Sequence, residues 1–307
     1  MSIASKVSKQ LLSQKTSLLV SARMMSEAVN YSCKALNVTQ PAPFVFGVEL
    51  NRPKKMNAMN KVMWEEIGDV FNKLDRDPDC RAVVLSGSGK MFSSGIDLSD
   101  LSELASIVYG EDDIARKSMQ MYTTVRHLQN LLTTIEKCKK PVISCVHNAC
   151  VGAGVDMITA VDIRLCTSDS WFCVKEVDMG LAADVGTLQR LPKVIGSQSL
   201  VNDLCLTARK MKSDEAERCG LVSRVYENKE EMMSAAIEMA ANIASKSPVA
   251  VQGTKVNLVY SREHNVEEGL DMIAKWNMTM LMSEDVMKSA MAAMDKDSNE
   301  PPEFSKL

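Results

Sequence analysis

Residues 141–166 read PVISCVHNACVGAGVDMITAVDIRLC. Pro141 to Val146 is a short apolar run with β-branched residues, the pattern of a strand buried on both faces. Glycines at 152 and 154 break the run, VGAGVDMITAV reads as a turn opening a helix, and DIRLC reads as the next strand. Strand, helix and strand in so few residues call for a crossover connection, which places them in an α/β core.

The same alternation extends outward on both sides. Phe44 to Leu50 (FVFGVEL) reads as a strand, Asn51-Arg52-Pro53 as a turn, and Lys61 to Leu74 (KVMWEEIGDVFNKL) has helical apolar spacing. Arg81 to Ser86 (RAVVLS) is a second buried strand opening into the loop GSGKMFSSGIDL. A long helix fits Ala115 to Cys138, and WFCV is a further short strand. After about Gly196 the strand signal fades, apart from LVSRVY, and methionine-rich helices run to Asp295, as suits a packing or oligomer layer.

Composition narrows the function classes. A chain of 307 residues that is 46% hydrophobic buries a large core. Its net charge of −3 leaves no electrostatic footprint for nucleic acid. No apolar run approaches the ~20 residues of a membrane span, so none is expected. Nine cysteines form no CxxC pair and there are only three histidines, so a metal site is not expected. Such scattered cysteines read as reduced thiols of an intracellular compartment.

Both ends read as addresses. Met1 to Met25 carries Lys6, Lys9, Lys15 and Arg23, many serines and no acid, the composition of an organellar transit peptide. Ser305, Lys306 and Leu307 form a peroxisomal signal for an import receptor. Together they imply residence in both mitochondrion and peroxisome, and so point to fatty-acid metabolism. The expected division is a targeting segment over 1–40, a core over 41–200, a helical region over 201–296 and a tail over 297–307.

Two loops offer backbone donors. Ser93-Ser94-Gly95-Ile96-Asp97-Leu98 and Val151-Gly152-Ala153-Gly154-Val155 each follow a buried strand. Amides freed by such turns suit a developing oxyanion, although taken singly each turn is explained as well by glycines that tighten it. The Gly152/Gly154 pair is also half of a dinucleotide fingerprint, but Met157 occupies the third glycine position and that reading is set aside. Residues 174–186, VKEVDMGLAADVG, place Glu176, Asp178 and Asp184 in an apolar setting, where a retained carboxylate usually has a partner or a job.

NRPKKMNAMN, the SGIDL loop, GAGVDM and TLQRLPKVIG together resemble the crotonase, or enoyl-CoA hydratase/isomerase, superfamily from Phe44 to Asp295. Within it, VKEVDMGLAADVGTLQRLPKVIG, TARKM and GLVSRVY resemble the dienoyl-CoA isomerase branch. The resemblance implies stacked ββα turns forming a spiral core, a helical C-terminal oligomerisation region, and homotrimers or homohexamers. It implies an acyl-CoA thioester substrate whose carbonyl lies between the amides of Ile96 and Ala153, with Ser94, Gly95, Asp97 and Leu98 completing the thioester loop. Family members commonly carry glycine where this chain has Ala153, which would narrow the slot if the backbone there needs glycine. Asp156 and Glu176 fall where hydratases hold water between two glutamates, and Asp184 falls where they have a small residue. The branch places Asp184 in the pocket as a catalytic acid, and the proton shift from C2 to C6 then assigns Glu176 as base at C2, Asp184 as acid at C6 and Asp156 as their modulator. No metal or redox cofactor is implied, coenzyme A being part of the substrate.

Asp178 and Asp162 read as structural, the latter as a partner for Arg164, and His147 as a buried, hydrogen-bonded histidine. The alternatives to an isomerase are an enoyl-CoA hydratase and a non-catalytic RNA-binding or scaffold member of the superfamily.

Overall fold

The computed structural model describes residues 31–295 and 302–307. Residues 1–30, and with them most of the stretch read as a targeting segment, lie outside the described residues, as do 296–301.

The first strand, β1 (Leu36–Ala42), pairs antiparallel with β2 (Val45–Leu50). It begins inside the 1–40 stretch assigned to targeting, because LNVTQPA is too polar to read as a strand until β2 supplies its hydrogen bonds. Helix α1 (Lys61–Arg76) follows, capped by the Asn60 side chain, which accepts from the Met63 N–H at 3.2 Å. Its buried stripe of Met63, Trp64, Ile67, Val70, Phe71 and Leu74 has the spacing seen in the sequence. Next come β3 (Ala82–Gly87), α2 (Leu101–Tyr109) and the long helix α3 (Ile114–Lys137), which packs against α1.

β4 (Val142–Val146), β5 (Ala149–Val151), α4 (Ala153–Thr159), β6 (Ile163–Thr167) and β7 (Trp171–Cys173) then follow in close succession. The rest of the chain supplies α5 (Thr187–Val194), α6 (Gln198–Thr207), β8 (Met211–Lys212), α7 (Ser213–Arg218) and β9 (Arg224–Tyr226). Helices α8 (Lys229–Ala244), α9 (Pro248–Ser261), α10 (Val266–Met280) and α11 (Glu284–Met294) complete it. None of the described helices is long and apolar enough to cross a membrane.

One sheet has the order β1-β2-β3-β4-β6-β9, parallel from β2 onward, and the other the order β5-β7-β8. Every residue of β3 and β4 is buried, as their unbroken apolar runs require. The larger sheet packs Val45, Val84, Ile143, Cys145 and Leu165 against Met232, Ala236, Ala240 and Ala244 of α8. Alanines four apart present one smooth helix face to the sheet, which brings the two layers close. This is the α/β spiral core with a helical C-terminal region expected from the sequence.

Asp162 does not pair with Arg164. Its Oδ2 accepts from Lys255 Nζ at 2.6 Å and from the Val142 N–H at 2.8 Å. Arg164 instead donates to the carbonyls of Leu221 and Val161, at 2.6 and 2.9 Å. Asp162 precedes β6 while Arg164 lies on it, and Lys255 from α9 takes the carboxylate that Arg164 was expected to pair. Residues 302–307 lie on the core: Arg81 Nη2 donates to the Phe304 carbonyl at 2.7 Å, and Lys306 forms an ion pair with Asp79.

Candidate active site

The loop after β3 is tied down from several sides. Asn57, fully buried, donates through Nδ2 to the carbonyls of Ser88, Met91 and Phe92 at 2.8, 3.0 and 3.1 Å. The Ser93 hydroxyl donates to the Asn57 carbonyl and accepts from the Gly95 N–H. The Asp97 carboxylate accepts from Ser99 and pairs with Arg52 at 2.9 Å, which hold it down at about 2. Asp97 therefore braces the loop. The Met59 N–H donates to the Gly95 carbonyl and the Asp97 N–H to the Met59 carbonyl, so this bridge leaves the Ile96 N–H pointing the other way.

The second turn abuts the first. The Val151 N–H donates to the Ser93 carbonyl at 3.1 Å, and a side chain on Gly95 would begin 2.9 Å from the Val151 carbonyl and 3.8 Å from the Ala153 nitrogen. Gly152 carries the strained conformation, φ +51° and ψ −119°, while Ala153 is the first residue of α4. The alanine at 153 therefore costs the turn nothing, because its backbone is helical and only residue 152 needs glycine. As the first helical residue, Ala153 has no intrahelical acceptor for its N–H.

The three candidate acids arrive from three separate elements. Asp156 lies in the first turn of α4 and is fully buried; its Oδ1 accepts from the Thr187 N–H at 2.5 Å. Glu176 follows β7, whose Cys173 carbonyl accepts from the Gly152 N–H at 2.9 Å, and its Oε1 lies 3.3 Å from where a Cβ on Gly152 would stand. Asp184 sits on the irregular stretch before α5 and is the most open of the three. Gly186 caps that helix with no side-chain bond, so Asp184 is not its N-cap. Asp178 pairs with Lys175 on the surface, a structural place as expected. His147 is buried with Nε2 3.0 Å from the Gly89 carbonyl, likewise as expected.

Burial, with the nearby Asp184, pushes Asp156 up to about 6 against the pull of Thr187. Burial, then the charges of Asp156 and Asp184, push Glu176 up to about 7. Burial raises Asp184 too. One oxygen each of Asp156 and Glu176 is buried without a partner among the described residues. Closely spaced carboxyls in an apolar setting share fewer negative charges than they have members, so they can both take and give a proton near neutrality.

From Ile96 a cleft of about 760 Å³ opens between α1, α2 and α3, walled by Trp64, Ile107, Met119 and Leu128, with His127 and Glu65 paired across it at 2.7 Å. Several residues that shape the site carry no local signal in the sequence. Arg190 and Gln129 are among them, polar side chains on helices that become meaningful only once α3 and α5 are neighbours.

Two abutting glycine turns beside a set of raised carboxyls are the parts that acid–base chemistry through an oxyanion requires. The Enoyl-CoA hydratase/isomerase family profile matches residues 43–300, and the chain belongs to that family. It is 56% identical over 283 residues, 92% of this chain and 86% of the relative, to a mitochondrial Δ(3,5)-Δ(2,4)-dienoyl-CoA isomerase of Pongo abelii. It is 44% identical over 263 residues, 86% of this chain and 93% of the relative, to a peroxisomal Δ(3,5)-Δ(2,4)-dienoyl-CoA isomerase of Arabidopsis thaliana. An enoyl-CoA hydratase from Bacillus anthracis shares the fold with a TM-score of 0.78 at 24% identity, covering 89% of this chain and 99% of that one.

Proposed function

We infer that this chain is an enzyme that moves the double bonds of a 3,5-dienoyl-CoA to the 2,4 positions, in the β-oxidation of unsaturated fatty acids. The observation that carries the reading is Asp184, a third carboxyl beside the Asp156/Glu176 pair and the paired turns, in a chain 56% identical to a dienoyl-CoA isomerase.

In a 3,5-dienoyl thioester the C2 proton is acidified by both the carbonyl and the diene. Glu176 takes it, and the electron pair spreads through the diene onto the thioester oxygen. The Ile96 and Ala153 amides receive that charge, an oxyanion donor being worth about 3 kcal/mol. Asp184 then delivers a proton at C6, which closes the 2,4-diene. A base near 7 is matched to this work, since near neutrality a large share of it is unprotonated and it is still strong enough to accept the proton. Asp156, held by the Thr187 amide, keeps Glu176 basic. Ser94, Gly95, Asp97 and Leu98 shape the thioester loop, and the cleft beyond Ile96 takes the acyl chain. The chemistry needs no metal and no redox cofactor, and coenzyme A enters as part of the substrate.

The chain assembles as a homotrimer or homohexamer in this reading, supported by exposed Leu270, Met278, Leu281, Met282, Met287 and Met291 on α10, α11 and their connection. It serves both mitochondrion and peroxisome, supported by relatives named for each, with Ser305, Lys306 and Leu307 taken by the import receptor. The test of the activity is direct assay with a 3,5-dienoyl-CoA, following the conjugated 2,4 product and deuterium entry at C2 and C6 in heavy water. Hydration of a 2-enoyl-CoA without that isomerisation would instead make it a hydratase.

A further inference from the structure

We propose that Arg190 is a positioning residue for Asp184, acting as a strut from α5, braced on α3, that fixes the Asp184-Val185-Gly186 stretch. The inference rests on the isomerase reading above and adds the element that holds its acid in place.

Asp184 stands on a segment with neither helix nor strand, and its side chain is the most open of the three acids. A proton delivered to one carbon of an extended dienolate demands close placement, so something must hold that segment. Two contacts do, one from α3 and one from α5. Gln129 Nε2 donates to the Asp184 carbonyl at 2.6 Å. The Arg190 guanidinium lies directly on the next two residues: a side chain on Gly186 would begin 2.0 Å from Nη1, and the Val185 carbonyl is 3.5 Å from the same nitrogen.

Arg190 is itself held on its far side. Its Nε donates to Glu136 Oε2 at 3.0 Å, and its Nη2 donates to the Thr133 hydroxyl, also at 3.0 Å. Glu136 is shared with Arg262 at 3.2 Å, so it is anchored from α9 as well. The pair is mostly buried, Arg190 at 14% and Glu136 at 18% side-chain exposure, which keeps water from competing for the fork. The planar guanidinium thus spans from α3 to the turn that presents Asp184. Gly186 with φ +139° is the residue that leaves room for it.

A strut acts only through the group it positions, and that separates it from a residue that merely stabilises the fold. Turnover on a 3,5-dienoyl-CoA is measured for the wild-type chain, Arg190→Met, Asp184→Asn and the double variant. Misplacement by about 1 Å can cost on the order of 100-fold, so Arg190→Met is expected to lower kcat by roughly 10–100-fold with KM within about twofold. In the Asp184→Asn background the same change is expected to cost less than about threefold, because the acid it serves is gone. Arg190→Lys, which keeps the charge but not the fork, should recover only part of the loss. Equal fold-losses in both backgrounds would overturn the proposal. If Arg190→Met fails to fold, Glu136→Gln, which frees the guanidinium, carries the same comparison. A wild-type chain without dienoyl isomerase activity would instead sink the functional reading, so the two failures are distinct.

Discussion

Glu176 and Gly152 are fitted to one another: the carboxyl oxygen Oε1 lies 3.3 Å from where a side chain on residue 152 would begin. The same glycine has φ +51° and precedes the Ala153 donor. One missing side chain therefore serves both the oxyanion turn and the base. Gly152→Ala must strain the turn, by about 1–3 kcal/mol, and crowd Glu176. Isomerase kcat is expected to fall at least tenfold, and a crystal structure or kcat at wild-type level would show otherwise.

Asp184→Asn keeps the size of the side chain and removes its proton. General acid–base groups contribute roughly 10²–10⁴-fold, so turnover of a 3,5-dienoyl-CoA should fall by that order. Thioester binding, measured by calorimetry with a non-isomerisable acyl-CoA, should stay within a few-fold. Wild-type turnover in this variant would remove Asp184 from the mechanism.

The acid limb of kcat/KM reports the base. Glu176 is pushed up to about 7, by burial first and by Asp156 next, so activity should decline as pH falls through that region. Asp156→Asn removes one raising charge and should move the limb to lower pH. A limb that stays put or moves upward in this variant would contradict the coupling.

Stability should run against activity at the same residue. Glu176 binds its proton more tightly folded than unfolded, where an ordinary glutamate sits near 4.3. Its favourable contribution is complete below about pH 4 and is lost as pH rises through about 7. Glu176→Gln should therefore melt about 2–4 °C above wild type at pH 8, a modest gain because the group is partly solvated, and show no such gain near pH 4. Calorimetric melts at the two pH values decide it.

Asn57 is the buried knot of the first turn, donating to three carbonyls. Asn57→Ala leaves those carbonyls unpaired and should cost about 2–4 kcal/mol in denaturant unfolding. It should also reduce kcat, since Ser93 and Gly95 hang from the same knot. A loss under about 1 kcal/mol would mean that solvent replaces the amide.

The α/β core was legible because buried parallel strands are written as unbroken apolar runs, and β2, β3, β4 and β6 are such runs or close to them. Strand β1 was not, since LNVTQPA acquires its identity from pairing with β2. The partner of Asp162 was misread for a related reason: Lys255 is nearly a hundred positions away, and Arg164 was only the nearest cation in sequence. Ser93, next to the Ser94 singled out from the loop, became recognisable as the buried hydroxyl only when Asn57 closed over it.

The chain by itself determined which chemistry was possible. It placed two glycine turns after buried strands and set three carboxyls in apolar surroundings, and its motifs narrowed these to one family. Tertiary structure decided what each residue does. It put the positive φ on Gly152 and spared Ala153, sent Asp97 to Arg52 and Asp178 to Lys175, and brought Asp156, Glu176 and Asp184 within electrostatic reach. The reason is physical: a carboxyl's pKa, like the strut that Arg190 sets against Gly186, depends on neighbours folded in from distant positions, and no local spacing encodes them.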